Sequence, residues 1–278
     1  MDLQIKEKYD LDGVLESRSY YLSGVLHRDD GPADEMFYTS GNLISRLWSK
    51  MGKRHRLDGP AVEFFNENGT ISTQVWYLDG LTHREDGPAH EIFHKNGMIY
   101  RRLWYFHDKL HRIGGPACET FEDDGKLTFR GWAINGGYHR EDGPASESFF
   151  RNGAIESRRY YHTGKCHRED GPAAETFYES DKLESRRYYY GDELHREDGP
   201  AIEKHHQGIS KLKSAIWHID GKRHREDGPA VEHFSRNGDR TLAAYYLDNT
   251  LIPEVEYRRR VMLLKLSAKV PADCEVSL

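Results

Sequence analysis

The sequence predicts an all-β fold: a single elongated, twisted antiparallel sheet or solenoid of tandem 28-residue β-hairpin repeats, with a short C-terminal capping helix. Three observations predict it. The string HRxDGPA, with small departures, begins at His27, His55, His83, His111, His139, His167, His195 and His224, at intervals of 28 residues and finally 29. Seven residues before each His stands a large aromatic, Tyr20, Trp48, Trp76, Trp104, Trp132, Tyr160, Tyr188 or Trp217, which uses every Trp of the chain. The segments between are short, Gly-punctuated and β-favouring, with no apolar pattern of period 3.6 longer than a turn.

The elements follow in chain order. Glu7 and Tyr9, before Asp12-Gly13, form a degraded half-repeat at the start. Each full copy then places a glutamate eight residues after its His: Glu35, Glu63, Glu91, Glu119, Glu147, Glu175, Glu203 and Glu232. Two residues further stands Phe, or His205 in the seventh copy, and most copies then carry Ser-Gly, Asn-Gly or Asp-Gly, as at Gly41, Gly69 and Gly125. Such dipeptides between β-favouring runs mark hairpins, so residues 145–151 and 155–161 read as the paired strands of the fifth copy. A two-residue loop places Glu35 opposite Arg46, Glu91 opposite Arg102, Glu119 opposite Arg130, Glu147 opposite Arg158, Glu175 opposite Arg186, and Glu63 opposite Gln74. Each such pair contributes roughly 0.2–1 kcal/mol, enough to fix register. A three-residue loop with a bulge pairs Phe with the Leu or Ile six positions on instead, and the spacing admits both. The same register sets Ala33, Ala61 and Ala89 against the aromatic of the next copy. At the end, Tyr245-Tyr246-Leu247 begins another half-repeat with Ile252 at the His position, and Pro253 opens a helix over residues 254–266. Its apolar set is Val255, Val261, Met262, Leu264 and Leu266. The chain therefore divides into an array, residues 1–252, and a cap, residues 253–278.

The recurring polar residues read as structural. A catalytic residue is needed once per site, whereas a packing residue is needed once per repeat. His-Arg-Asp resembles a kinase catalytic loop, but the Gly-rich strand and strand Lys that such a loop requires are missing. His and neighbouring carboxylates as metal ligands would need convergence that the spacing does not provide. We expect instead that Asp satisfies backbone donors in each turn, Arg bonds to the adjacent copy, and each His stacks under the next. The fourth copy, His111-Arg112-Ile113-Gly114-Gly115, drops the Asp without changing the spacing. The seventh is the most irregular, and His205, His206, His218 and His233 are the candidate metal or ligand residues. No catalytic residue, resident metal or cofactor is assigned.

Composition sets outer bounds. Forty Lys plus Arg against 46 Asp plus Glu leave a net charge of −6, which argues against nucleic-acid binding by bulk field and against anionic membranes. Three Cys without a pattern give no disulfide framework, and the first twenty residues lack the apolar stretch of a signal peptide, which predicts a cytoplasmic protein.

Trp76-Tyr77-Leu78-Asp79-Gly80 followed by His83 to Ala89 resembles the membrane occupation and recognition nexus (MORN) repeat family, in the variant carrying WYLxG and HREDGPA. The resemblance covers about residues 4 to 250. It implies a hairpin-repeat array of the kind found in bacteriophages and large DNA viruses, acting in the host cytoplasm or the virion. The expected function is a non-enzymatic scaffold that binds a protein partner through an extended β surface, such as a viral factor sequestering or inhibiting a host protein. The alternatives are a virion component, or a small-ligand or metal-binding protein using the seventh and eighth copies. Exposed edge strands also make a homodimer an expectation.

Overall fold

The computed structural model describes residues 2–267, with side chains as far as residue 263. It is the antiparallel hairpin-repeat fold that the sequence predicts, with Glu254–Ser267 the single helix among the described residues. The chain divides into two compact units, Met1–Gly153 and Ala154–Leu278, and the same repeat builds both.

In the first unit the strands Val62–Phe65 and Ile71–Val75 form a hairpin with Glu63 opposite Gln74. The strand His90–Phe93 pairs with the other edge of Ile71–Val75 and places Glu91 opposite the same Gln74. In the second unit Glu175 likewise faces Arg186 on one side and Arg158 on the other. The predicted pairs Glu35↔Arg46, Glu91↔Arg102, Glu119↔Arg130 and Glu175↔Arg186 are all present.

The loop that sets this register is the longer of the two alternatives. Asn66 donates its N–H to Thr70 O, and Gly69 donates to Asn66 O, both at 2.8 Å. This is a turn followed by Gly69 at φ +83°, a conformation that favours glycine. A bulge at Phe64/Phe65 then pairs Phe65 with Ile71, six positions on, and restores Glu63 opposite Gln74. The bulge and the Glu register therefore coexist.

The spacing predicts one hairpin per copy, but the structure has two. After Trp76, the two-residue strands Tyr77–Leu78 and Leu81–Thr82 pair across Asp79-Gly80. Asp79 and Gly80 have φ of 52° and 91°, the double positive φ of a type I′ turn. This second hairpin feeds the HRxDGPA string, hereafter a station. Its strands are too short to show an alternation in sequence.

The motif alanines Ala33, Ala61, Ala89, Ala117, Ala145, Ala173, Ala201 and Ala230 are all 0 % exposed. Each lies where its carbonyl takes a backbone N–H from an aromatic residue, as Ala89 O does from Trp76 at 2.8 Å, and side chains beyond a methyl have no room. Interior volume is otherwise scarce, and among the described residues the largest fully buried side chain is that of Cys118. Stability consequently comes from contacts between neighbouring repeats.

Both ends follow the predicted half-repeats. At the start, Leu3–Tyr9 pairs with Leu15–Leu22 and places Glu7 opposite Arg18, at 2.7 Å. At the end, Tyr245 and Ile252 pair, and the helix Glu254–Ser267 packs Tyr257 and Val261 against them. The helix has the predicted start but a different anchor. Val255 is 83 % exposed and Met262 is also exposed, whereas Tyr257 is 4 % exposed and its ring lies 4.6 Å from that of Tyr245. Tyr257 and Val261 are four residues apart and share a face, while Val255 points about 200° away from Tyr257. The side chains of Leu264 and Leu266 lie outside the described residues. Among the described residues no helix is long and apolar enough to cross a membrane.

Candidate functional site

The stations and the grooves between them are the candidate site. At every station the Arg guanidinium lies flat over the aromatic seven residues before the His. In the first unit the separations are 4.1 Å for Arg28 over Tyr20, 4.0 Å for Arg56 over Trp48, 4.2 Å for Arg84 over Trp76, and 4.0 Å for Arg112 over Trp104 and Arg140 over Trp132. In the second they are 4.0 Å for Arg168 over Tyr160 and Arg196 over Tyr188, and 3.9 Å for Arg225 over Trp217. The rings are only half-buried, and the Arg shields the face that water would otherwise reach.

Three expectations for the station are corrected by this geometry. First, the Arg ties its own copy rather than the adjacent one: Arg84 Nε donates to Asp86 Oδ1 at 2.7 Å and Nη1 to Pro88 O at 3.3 Å. Second, the Asp of the turn is held first by this Arg side chain and only then by a backbone donor. A Cβ on Gly87 would stand 2.8 Å from Arg84 Cζ, so glycine is there to admit the guanidinium. Third, where ring contacts link successive station histidines they run through a ring of the intervening short hairpin, as in His83–Phe106–His111 and His167–Tyr190–His195. His27, His55 and His111 in the first unit accept backbone N–H bonds at Nδ1 from Met51, Asp79 and Asn135, at 3.1, 3.2 and 3.2 Å. His167, His195 and His224 in the second accept from Gly191, Asp220 and Asp248, at 3.3, 3.2 and 3.3 Å. Each donor belongs to the short turn of the next copy, so the His is a tie between copies.

The glutamate row is a second tie. Glu63, Glu147 and Glu175 are buried, and the Arg of the preceding hairpin reaches each at 2.6 Å: Arg46, Arg130 and Arg158. Within these inner hairpins the distances are longer, 3.3 Å for Arg186 to Glu175 and 3.6 Å for Arg102 to Glu91, whereas the end hairpins keep short pairs, Arg18 to Glu7 at 2.7 Å and Arg240 to Glu232 at 2.9 Å. The register was legible, but at Glu175 the shorter ion pair joins successive hairpins. A third tie repeats eleven residues after the station His: Tyr38 and Tyr178 hydroxyls donate to Phe65 O and His205 O at 3.1 and 2.9 Å, and His94 and His206 Nε2 bond Phe121 O and Phe234 O at 3.0 Å. A polar tip at that fixed offset was the available sequence signal.

The acids of the stations face outward. Asp30, Asp58, Asp86, Asp142, Asp170 and Asp198 are held below the usual aspartate range, first by the hydrogen bond from the station Arg and then by its charge. Between consecutive stations lie open grooves. One in the second unit has Tyr188, Tyr189 and Tyr190 as its floor, with Arg168 to Gly171 and His195 to Asp198 as its walls. Another in the first runs over Trp76 to Leu78, between the second and third stations.

The irregular seventh copy disperses its histidines into structural positions. His206 forms the tie described above, His205 sits at the bulge opposite Leu212, His218 is opposite Arg223, and His233 is opposite Ser214. Among the described residues no group of three or more His, Cys, Asp or Glu could hold a metal ion. Burial holds His205 and His218 below the usual imidazole range, and it pushes the Cys166 thiol up to about 11.

No family model matches the chain, and no curated protein matches it. Three solved structures are similar at low level: a TcdB2–TccC3–Cdc42 complex, CbpF in complex with ipratropium, and the Photorhabdus luminescens Tc holotoxin pore. Their identities are 10, 13 and 10 %, their TM-scores 0.16, 0.16 and 0.14, and the matches cover 88, 89 and 88 % of this chain. The chain spans 13 % of each of the two toxin chains and 98 % of CbpF.

Proposed function

We propose that the chain is a non-enzymatic repeat scaffold that binds a protein partner along the face carrying its stations. The observation that supports this most is the recurrence, in both units, of one rigid constellation with outward acids and an open groove beside it. Polar groups that could do chemistry, Nδ1 of six station histidines and the row glutamates Glu63, Glu147 and Glu175, are engaged in ties between copies. Repeat arrays of this kind supply extended surfaces rather than enclosed pockets. From the family resemblance, the partner is a host protein that the chain sequesters, or a component of the virion. The outer edge of Leu3–Tyr9 offers a second copy of the chain a strand to pair with.

The test is capture of a partner from the native host by the wild-type chain and by a variant with Glu85, Glu141, Glu169 and Glu197 changed to Lys. These side chains are exposed, and their closest ionic contact is a histidine at 3.8–3.9 Å, so the fold should survive. The expected result is a partner released by the variant and by salt, at unchanged melting temperature. A partner held equally by both proteins would place binding on another face, and a turnover abolished by altering a single station His would overturn the scaffold reading.

A further inference from the structure

We propose that the fourth station is a receptor for one carboxylate, an aspartate or glutamate of a partner protein with an apolar side chain beside it. This rests on the scaffold reading and names the chemistry of one of its contacts.

The other stations show what belongs there. Arg Nε donates to the Asp two residues on at 2.7–2.9 Å in all seven: Arg28, Arg56, Arg84, Arg140, Arg168, Arg196 and Arg225. In the fourth that position is Gly114. The guanidinium of Arg112 is nevertheless held as in the others, 4.0 Å over Trp104, with Nη1 donating to Pro116 O at 3.0 Å and a Cβ on Gly115 falling 3.0 Å from Cζ. Packing, not the carboxylate, therefore positions the cation. Among the described residues Arg112 makes no ion pair, and its Nε is not among the buried polar atoms. The donor stands preorganised, wet and without the acceptor that seven sister sites supply.

Two more acids are missing around it. Ile113 stands where five stations have Glu, and Asn135 stands beside the His where His55, His195 and His224 have Asp79, Asp220 and Asp248. Arg196 in the seventh station thus has Glu197, Asp198 and Asp220 about it, whereas Arg112 has Ile113, Gly114 and Asn135. At these three positions the acids become neutral residues, the copy's remaining Glu119 faces Arg102 and Arg130 across the strands, and an otherwise acidic face acquires a local positive point. The groove there carries exposed apolar side chains: Ile113 is 84 % exposed and Phe106 46 % exposed along it. On the opposite wall Asp86 is taken up by Arg84, and Glu85 lies 3.8 Å from His83. Glu85 disfavours a second negative charge, which selects a single carboxylate over a phosphate dianion or polyanion. The exposed Ile and Phe select a neighbouring apolar side chain.

The test uses the full chain and a fluorescein-labelled peptide, Gly-Ser-Leu-Asp-Leu-Gly-Ser, read by anisotropy, with the peptide carrying Asn in place of Asp as its control. The Asp peptide should bind about tenfold more tightly than the Asn peptide, and Arg112→Gln should remove the difference. Since Arg112→Gln also disturbs packing on Trp104, the decisive variant is Gly114→Asp. It supplies the acceptor from within once the turn leaves the +77° φ of Gly114 for the conformation of the seven sister stations, whose Asp residues are not at positive φ, and should abolish peptide binding with only a small loss of melting temperature. Equal binding of the two peptides, no binding of either, full binding by Gly114→Asp, or displacement by inorganic phosphate more readily than by acetate would each overturn the inference. A partner captured through the other stations by the Gly114→Asp protein would leave the scaffold reading standing.

Discussion

The fourth and seventh stations hold the same Arg posture and present the opposite surface, with Gly114 at a φ of +77° where Asp198 is not at positive φ. Arg112 and Arg196 both lie 4.0 Å over their aromatic rings, and a Cβ on Gly115 or Gly199 would meet them at 3.0 and 2.9 Å. His111 and His195 both accept an amide at 3.2 Å. The acids differ completely. The comparison divides the letters of HRxDGPA into two groups: His, Arg, Gly and Ala hold one copy to itself and to the next, while x and Asp decorate the outer face. Sequence recurrence hints at that division, since His, Arg, Gly and Ala recur in all eight copies, Asp in seven and Glu at x in five, but it does not say what each residue touches.

The largest expected effect lies with the interior tie. Glu175→Ala leaves Arg158 and Arg186 facing a half-buried void and should cost about 3–5 kcal/mol in urea unfolding. A loss below about 1 kcal/mol would show that the row sets register only. Next comes pH. Burial keeps His218 below its ordinary value of 6.5, so the unfolded chain takes the proton more readily. Its contribution is complete above about pH 6.5 and is lost as pH falls through the native value, and His218→Phe should flatten that part of the stability profile. The station aspartates, also lowered, act further into acid: their contribution is present above about pH 3.8 and is lost below it. Gly87→Ala should be smaller again, about 1 kcal/mol, because the added methyl lifts Arg84 from Trp76. Gly171→Ala, with 3.4 Å to Arg168 Cζ, should cost less. The smallest effect is expected for Asp198→Asn, whose amide oxygen can keep the Arg196 bond but not its charge at this exposed site, so the urea midpoint should shift only slightly. If Asp198→Asn instead destabilised as much as Gly87→Ala, the division between holding and decorating residues would fail.

Much of the fold was legible because a repeat multiplies weak signals. The Glu–Arg spacing gave Glu35 opposite Arg46 and Glu119 opposite Arg130, and the small Ala before each strand marked a place without room. The hairpin at Asp79-Gly80 was not legible, since two-residue strands carry no periodicity. Nor was the Arg-on-aromatic stack, in which residues eight apart meet only because that hairpin folds back between them. The helix was found at the right place from Pro253 and its acids, but its apolar residues gave no single stripe, and Tyr257 rather than Val255 became the anchor. Of the candidate site, the departure at Ile113-Gly114 was visible in sequence. That Arg112 keeps its posture there could only be seen in three dimensions.

The scarcity of interior volume, with Cys118 the largest fully enclosed side chain, bears on how such a chain can change its length. A protein built around a shared centre cannot lose a segment without collapsing onto the hole. Here excision or duplication of one whole period rejoins like surfaces to like, so growth and shortening in steps of 28 residues should fold, while an insertion of 14 would break the pairing at the junction where it falls.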